Sequence, residues 1–476
     1  MRRIAFGLLI SAIMSAAPLR ATETTPVKAP ADADPDTLPV LQHRDLVSGW
    51  TEEQRLELGQ REGVWIAPGL VADREAGTIR ILAEATGLTV EHPIEFLLIA
   101  DTSGHDYEAI AVSYARPSAI HEALEFLGTS PGAPYNPGQF RFAPKGPLVQ
   151  ATFAWQDEDG AEHNWPAGKL IQDIRTGDSL GAEGFLFTGS MILEEDGDPF
   201  YAADYFDPQS IISIYNEPGT VLDRPKVVRQ SDVYGLLQVY PDRQPAVGQL
   251  LEVLFKPVPG AGSKDVELVV QTGTEDQPVS LTAMDGDGES LHTGHRLADV
   301  LGALEEIRQA GRTPYVALSV AGEVPLQEVR DLFRLLDSFE DAEELYVEPP
   351  PSGHPFYRAF LPVEAHRQRA MRPSQVLELH LVATDGDWAG EVIHVRDVRS
   401  RREDPFEEES IAYAVPSPAD LAPVLAEIAH RLPVLLVFAP SHMRYEELLD
   451  WIGPVLSTHS TMYVFLEEAA EETAQD

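Results

Sequence analysis

The sequence contains no cysteine in 476 residues. Disulfides, thiolate zinc sites, iron–sulfur clusters, thiol nucleophiles and a lipoprotein anchor all require cysteine, so each of them is excluded. Apolar side chains are not scarce, because 43% of the residues are hydrophobic, which suffices for packed cores. The length suits about three domains at roughly 150 residues each.

Basic residues are also scarce in this sequence. Lys and Arg number 35 against 77 Asp and Glu, which gives a formal net charge of −42. Such a surface repels nucleic acid and anionic membrane, so we expect no nucleic-acid partner. The acidic residues are spread along the whole chain, which is typical of a solubilising surface; binding of cations or of a basic partner is the alternative interpretation.

Long apolar runs are also missing beyond the N-terminus. The run Ile4–Ala17 is too short to span a bilayer, follows Arg2 and Arg3, and precedes small residues. This pattern predicts a secretory signal peptide over residues 1–21, cleaved near Ala17 or Ala21. We therefore expect a periplasmic or secreted protein with no membrane span after cleavage. The Pro-, Ala-, Thr- and Asp-rich residues 22–46 predict a disordered linker.

Short strand-like segments dominate residues 47–257. They are TIRILAEATG (78–87), IEFLLIAD (94–101), EAIAVSYA (108–115), LVQATFAWQDEDG (148–160), GFLFTGSMIL (184–193), IISIYNEP (211–218) and QLLEVLFKP (249–257). One helix is predicted over Ser118–Leu127, because Pro117 and Ser118 favour a helix start and Gly128 a helix end. These residues therefore predict a β-rich N-terminal domain.

Strands alternate with amphipathic helices after residue 257. Residues 265–350 and 374–468 share this order, a Pro-rich connector (351–373) joins them, and an acidic tail (469–476) follows. Their apolar positions correspond in the pairs Leu326 with Tyr445, Val329 with Leu448, Leu332 with Trp451, and Leu336 with Val455. The expected fold class is α+β, with a β-rich N-terminal domain followed by two small α/β sandwich modules that repeat a β-α-β-α-β unit.

The N-terminal domain resembles the YdjY domain family over residues 64–256. The matching segments are GTIRILAEATG (77–87), SGHDYEAIAVSYARPSAIHEALEFLGTSPG (103–132), WQDEDG (155–160), FLFTGS (185–190) and YNEPGTVLDRP (215–225). The similarity lies in the order of these segments along the chain. It implies no particular activity, and the lack of cysteine rules out an iron–sulfur centre in this member.

The two C-terminal units resemble the periplasmic domain of the ExbD/TolR transport proteins. The resemblance rests on the order of strands and helices. No membrane helix with a protonatable Asp precedes either unit, so the resemblance implies a recognition module rather than a proton-driven stator subunit.

The stretch HEALE, His121 to Glu125, is one substitution away from the helix motif of zinc proteases. Those enzymes place two His at i and i+4 with Glu between them, and here Glu125 replaces the second His. The alternative is an ordinary amphipathic helix in which Glu125 pairs with His121. Its buried stripe would be Ile120, Ala123, Leu124 and Leu127.

The stretch SGHDYEA (103–109) places His105 and Glu108 at a strand entry. These two residues and His121 are the predicted metal ligands, since polar clusters on loops often carry function. The alternative is that they only hydrogen-bond a turn.

Acidic loops form a further group. They are EEDGDP (194–199), DYFDP (204–208) and DGDGE (285–289). Calcium prefers oxygen clusters of this kind, but the complete twelve-residue loop pattern is missing, so we expect solvated turns. Asp204 is retained as a fourth candidate metal ligand.

No nucleophile elbow, P-loop or dinucleotide fingerprint occurs in the sequence, so no catalytic residue is predicted. The expected function is that of an exported, non-catalytic binding or envelope-assembly protein. Envelope proteins or cell-wall glycan are the expected partners, and no cofactor is predicted. The alternative is a metal-binding protein or metal-dependent enzyme that holds a divalent metal at His105, Glu108 and His121.

Overall fold

The computed structural model describes residues 43–195, 198–274, 276–343, 345–361, 377–384, 387–397, 408–428, 434–459 and 461–467. The predicted signal peptide, most of the predicted linker and the acidic tail lie outside these residues. Within the described ranges, no helix combines the length and the apolar character needed to cross a membrane. The chain divides into two compact units, residues 1–263 and 264–476.

The first unit is rich in strands, as predicted. Its strands are β1 Val64–Ala67, β2 Leu70–Asp73, β3 Thr78–Ala85, β4 Phe96–Ala100, β5 Ala109–Ser113, β6 Pro147–Gln156, β7 Glu162–Pro166, β8 Ile171–Asp173, β9 Phe185–Phe187, β10 Ile192–Glu195, β11 Asp198–Tyr201, β12 Ser210–Ser213, β13 Leu222–Asp223, β14 Leu237–Val239 and the first part of β15 Leu250–Thr274. Its helices are α1 Leu46–Leu58, α2 Pro117–Phe126, α3 Ala202–Tyr205 and α4 Gln230–Val233.

Eight of these strands form a closed ring in the order β3-β5-β4-β12-β13-β9-β6-β15. The ring closes because β15 pairs antiparallel with β6 and with β3. Strand pairing of this kind satisfies the backbone groups that an open sheet edge would expose. The hydrophobic core of the unit takes fully buried side chains from these strands, among them Phe153, Phe187 and Phe255.

Strand β15 continues where the sequence predicts an end near Pro257. Its pairing with β6 shifts register between Pro257 and Gly262, as a β-bulge does. Gly262 has a φ of +104°, and a Cβ atom there would lie 2.4 Å from the carbonyl oxygen of Gly146. Only glycine fits this position, and it allows the strand to bend instead of ending.

Helix α1 is absent from the sequence-based prediction, whereas α2 is predicted almost to the residue. The side chains that α1 buries are Thr51 and Gln54, so it lacks the apolar stripe that marks an amphipathic helix. Thr51 Oγ1 accepts the Gly69 N–H, and Gln54 Oε1 accepts a hydrogen bond from Arg80. Polar contacts, rather than hydrophobic burial, fix α1 against the ring.

The second unit has two halves. Its strands are residues 264–274 of β15, β16 Gln277–Asp285, β17 Ser290–Gly294, β18 Arg312–Val320, β19 Tyr346–Val347, β20 Phe360–Leu361, β21 Leu377–Ala383, β22 Trp388–Asp397, β23 Glu408–Val415, β24 Val434–Pro440 and β25 Thr461–Glu467. Its helices are α5 Leu297–Gln309, α6 Leu326–Asp341, α7 Pro418–Glu427 and α8 Tyr445–Ile452.

Both halves have the same strand order. It is β17-β16-β15-β18-β19 in the first half and β23-β22-β21-β24-β25 in the second. Each half therefore begins with three strands, two more than the predicted repeat contains. The turn DGDGE, predicted as a solvated acidic loop, connects β16 to β17 and uses Asp285 Oδ1 to accept the N–H groups of Asp287 and Glu289.

The halves contact each other through reciprocal backbone hydrogen bonds at the starts of α6 and α8. The N–H of Leu326 donates to the carbonyl of Met443 at 2.8 Å, and the N–H of Tyr445 donates to that of Val324 at 2.9 Å. Leu326 and Tyr445 are corresponding residues of the predicted repeat. A single hydrophobic core includes side chains from both halves.

The described part of the Pro-rich connector is buried rather than free. Strand β20 pairs in parallel with β25, and Tyr357 and Phe360 are almost fully buried. Arg358 ion-pairs with Glu340 of α6 at 2.5 Å and with Asp337 at 3.0 Å. This segment therefore ties the helix of one half to the sheet of the other.

Candidate functional site

An ion-paired histidine lies in the connection between the parallel strands β4 and β5. Residues Asp106–Glu108 form a 3₁₀ turn there, and His105 precedes it. His105 Nδ1 contacts Glu108 Oε1, and its Nε2 lies 2.8 Å from Asp207 Oδ2. Hydrogen bonds to Glu108 and then to Asp207 raise the pKa of His105 to about 9, against an opposing effect of burial. The ring is therefore an imidazolium at neutral pH.

Further carboxyl groups surround this imidazolium. Gln230 Nε2 donates to both oxygens of Glu95, at 2.9 and 2.8 Å, and burial raises the pKa of Glu95. Burial also raises the pKa of Glu217 to about 7, while the positive charge of His105 opposes the shift. His105 therefore partly compensates a group of buried acids that would otherwise repel one another.

His121 has a separate set of partners. Its Nδ1 lies 3.0 Å from Tyr201 Oη and its Nε2 lies 3.6 Å from Glu125. The ring packs edge-on against Phe187 and Tyr201. The expected pairing of His121 with Glu125 within one helix is confirmed.

The structure brings two of the predicted metal ligands together, His105 and Glu108, but not the third. No group of three or more His, Asp or Glu side chains within the described ranges is placed to hold a metal ion. A metal shared by His105, Glu108 and His121 stays a prediction. In this structure both ring nitrogens of His105, which would bind the ion, contact carboxylates instead.

Asp204 has a structural partner. Its carboxylate accepts the backbone N–H of Ser118 at 2.9 Å and the Ser118 hydroxyl at 2.5 Å. These bonds satisfy donors at the start of α2, as an N-cap does, although Asp204 is distant in sequence. Asp196, in the neighbouring acidic loop, lies outside the described residues.

The sequence DYFDPQ (204–209) covers the end of α3 and the loop that follows it, and hydrogen bonds fix this segment at both ends. Asp204 is held by Ser118, and its carbonyl accepts a hydrogen bond from Gln209 Nε2 at 3.0 Å. Gln209 Oε1 in turn accepts the hydroxyl of Thr102 at 2.6 Å. Gln209 has a φ of +54°, a conformation that costs a non-glycine residue free energy and is sustained by its surroundings.

This loop exposes aromatic rings beside the imidazolium. Tyr205 is 70% exposed and Phe206 is 47% exposed. Phe200, from the adjacent strand β11, contacts both, with ring centroids at 5.7 and 5.6 Å. Asp207, the next residue of the loop, contacts His105 through its carboxylate. We call Phe200, Tyr205, Phe206 and Asp207 the aromatic–acidic surface.

The residues of this cluster lie within a segment that matches a known domain family. Residues 70–255 match the family model of the YdjY domain. The match runs from β2 into β15 and includes His105, Glu108 and the aromatic–acidic surface. The chain has no match among curated proteins.

The match to the YdjY domain does not extend into the second unit. Similarity of that unit to the ExbD/TolR periplasmic domain stays a prediction. The sequence predicts His105 and Glu108 as site residues inside the YdjY domain. Asp207 is predicted only as part of a solvated acidic turn, and the exposed rings are not predicted. The available signal is the pair of adjacent aromatic residues between two aspartates in DYFD (204–207).

Proposed function

We propose that the protein is an exported, non-catalytic binding protein of the cell envelope, and that the aromatic–acidic surface of its YdjY domain contacts the partner. The rigid loop with the exposed rings of Tyr205 and Phe206 carries this proposal. Exposed aromatic side chains are enriched at protein interfaces, and a loop that is already fixed loses little entropy when it binds.

A non-catalytic role is supported by the state of His105. A general base at neutral pH needs a pKa near the working pH and a free ring nitrogen. The pKa of His105 is raised to about 9, and carboxylates contact both of its nitrogens. This histidine is suited to hold Asp207 in place beside the rings.

We further propose that the second unit is a duplicated recognition module of the ExbD/TolR type. The shared strand order and the reciprocal bonds between Leu326 and Met443 and between Tyr445 and Val324 support a duplication. An internally paired module resembles a two-fold symmetric dimer contained in one chain.

The binding role predicts a loop-dependent partner. Cross-linking pulldowns from envelope extract should capture a component with the wild-type chain and lose it with the double variant Tyr205→Ala/Phe206→Ala. Both side chains are exposed, so the variant should unfold at an unchanged temperature. Tyr234→Ala is the matched control, because Tyr234 is 57% exposed and lies outside the loop. Equal capture by all three proteins would refute a role for this surface.

Export predicts a shortened N-terminus. Protein recovered from the periplasm or the medium should begin after Ala17 or Ala21, and mass spectrometry of the intact chain should show the loss. Replacing Arg2 and Arg3 with Glu should leave uncleaved protein inside the cell, because the positive end of a signal directs its insertion. A full-length chain outside the cytoplasm would contradict the cleavage.

A further inference from the structure

We infer that the partner of the aromatic–acidic surface is a basic polypeptide segment, one that presents arginine or lysine. The inference rests on the binding function proposed above and specifies the chemistry of the ligand. Three observations carry it: the local charge, the accessible carboxylate of Asp207, and the exposed ring faces beside it.

Basic residues are missing from the sequence that builds this surface. Between Arg175 and Arg224 there is no Lys, Arg or His. The acidic residues of this stretch are Asp178, Glu183, Glu194, Glu195, Asp196, Asp198, Asp204, Asp207, Glu217 and Asp223. Glu194, Glu195 and Asp198 are exposed on the β10–β11 hairpin that also supplies Phe200. Burial raises the pKa of Glu217 and of Asp223, so the negative potential near the rings comes from the exposed acids of the hairpin and from Asp207; it attracts cations and repels anions.

The imidazolium of His105 does not cancel this potential. It carries one positive charge against the two carboxylates of Glu108 and Asp207. The side chain of Asp207 remains 63% exposed although one of its oxygens contacts His105. An incoming guanidinium or ammonium can therefore reach this carboxylate without breaking the existing pair.

Exposed rings next to a carboxylate suit arginine best. A guanidinium stacks on an aromatic face and also forms bidentate bonds to a carboxylate, whereas lysine offers only a point charge. A neutral glycan could stack on the rings and donate hydroxyl hydrogen bonds to the carboxylates, but it carries no charge and is not attracted by the negative potential. Anionic polymers would be repelled. Charge complementarity therefore favours a basic polypeptide over a glycan.

The test compares labelled oligoarginine, oligolysine and oligoglutamate peptides with a labelled chitooligosaccharide, using fluorescence anisotropy and the full chain. We expect oligoarginine to bind most tightly and to weaken steeply with added salt, because the contact is partly exposed and ionic. The variant Tyr205→Ala/Phe206→Ala should bind oligoarginine about tenfold more weakly, since two cation–π contacts are lost. Tyr234→Ala should bind like the wild type. Both variants keep the net charge, so diffuse attraction to an acidic protein is controlled.

Equal affinity of the wild type and the double variant for oligoarginine would overturn the inference, because binding would then follow overall charge. Preference for the chitooligosaccharide would overturn it as well and would leave the binding function standing. The pulldown separates the two claims: loop-dependent capture without oligoarginine binding refutes the inference alone, and loop-independent capture refutes the proposed function.

Discussion

Replacing Arg358 with methionine should lower the free energy of unfolding of the second unit by about 3 kcal/mol at pH 8, because it leaves a buried carboxylate without its cation. Glu340 is 7% exposed and receives Arg358 Nη2 at 2.5 Å. Its other contacts are the hydroxyl of Tyr357 and the N–H of Val347. Neither of these neutral donors can replace a full positive charge.

The loss of unfolding free energy caused by Arg358→Met should become smaller as the pH falls. Burial raises the pKa of Glu340, and Arg358 opposes that shift. Without Arg358 the pKa rises further, so the folded variant holds the proton more tightly than the unfolded chain. An acid with a raised folded pKa loses stability as the pH rises above its usual value and regains it as the pH falls. The variant should therefore approach wild-type stability near pH 4.

Denaturant titrations with hydrogen exchange on peptides from α6 would measure this loss and assign it to the second unit. The double variant Arg358→Met/Glu340→Gln should recover most of the stability, because the buried carboxylate of Glu340 is replaced by a neutral amide; Asp337, the other partner of Arg358, has a side chain that is 42% exposed to water. Arg308→Met is the control, since its pair with Glu305 is exposed and contributes less than about 0.5 kcal/mol. A loss for Arg358→Met as small as the control's, and equal at both pH values, would show that the pair is a surface contact.

Seven of the eight ring strands could be predicted, because their side chains are uniformly apolar or alternate with the period of a strand. The two-residue strand β13 and the short strands outside the ring were not predicted. All five residues of β4 are buried, and its uninterrupted apolar sequence FLLIA predicts this burial. The same reasoning found α2 through its apolar stripe. It missed α1, whose buried residues are polar, and it missed the hairpin β16–β17, whose second strand is almost entirely exposed.

The candidate site could be predicted only where its residues are neighbours in the chain. His105 and Glu108 are three positions apart, so a local pattern revealed both. Asp207 reaches His105 because β12 pairs with β4, and local sequence does not state which strands pair. The bond from Ser118 to Asp204 has the same origin. The sequence therefore contains the residues of the aromatic–acidic surface, but it does not predict that they lie together on the surface of the fold.

Replacing Glu217 with glutamine should raise the free energy of unfolding of the first unit by about 2 kcal/mol at pH 8 and leave it nearly unchanged near pH 4. Burial raises the pKa of Glu217 to about 7. Hydrogen bonds from Ser210 and Tyr215 oppose this rise, and the charges of Glu95 and His105 act on it in opposite directions. One of its carboxyl oxygens is buried without a hydrogen-bond partner among the described residues. Glutamine keeps the shape of the protonated acid and cannot ionise.

The sign follows from which state holds the proton. Between the usual glutamate pKa and about 7, the folded protein keeps the Glu217 proton while the unfolded chain has lost it, so stability falls as the pH rises through this range. Above pH 7 the whole cost is present, and glutamine removes it. His105, with a pKa raised to about 9, should still cause a loss of stability between pH 6.5 and 9 in the variant.

Denaturant titrations across this pH range, with hydrogen exchange on peptides from β12, would test the effect of Glu217→Gln. Glu194→Gln is the control, because Glu194 is exposed on the β10–β11 hairpin and should change stability little. A glutamine variant that is less stable than the wild type at pH 8 would contradict the assigned cause. The ionised carboxylate of Glu217 would then be stabilised by its surroundings, although His105 already pairs with the carboxylates of Glu108 and Asp207.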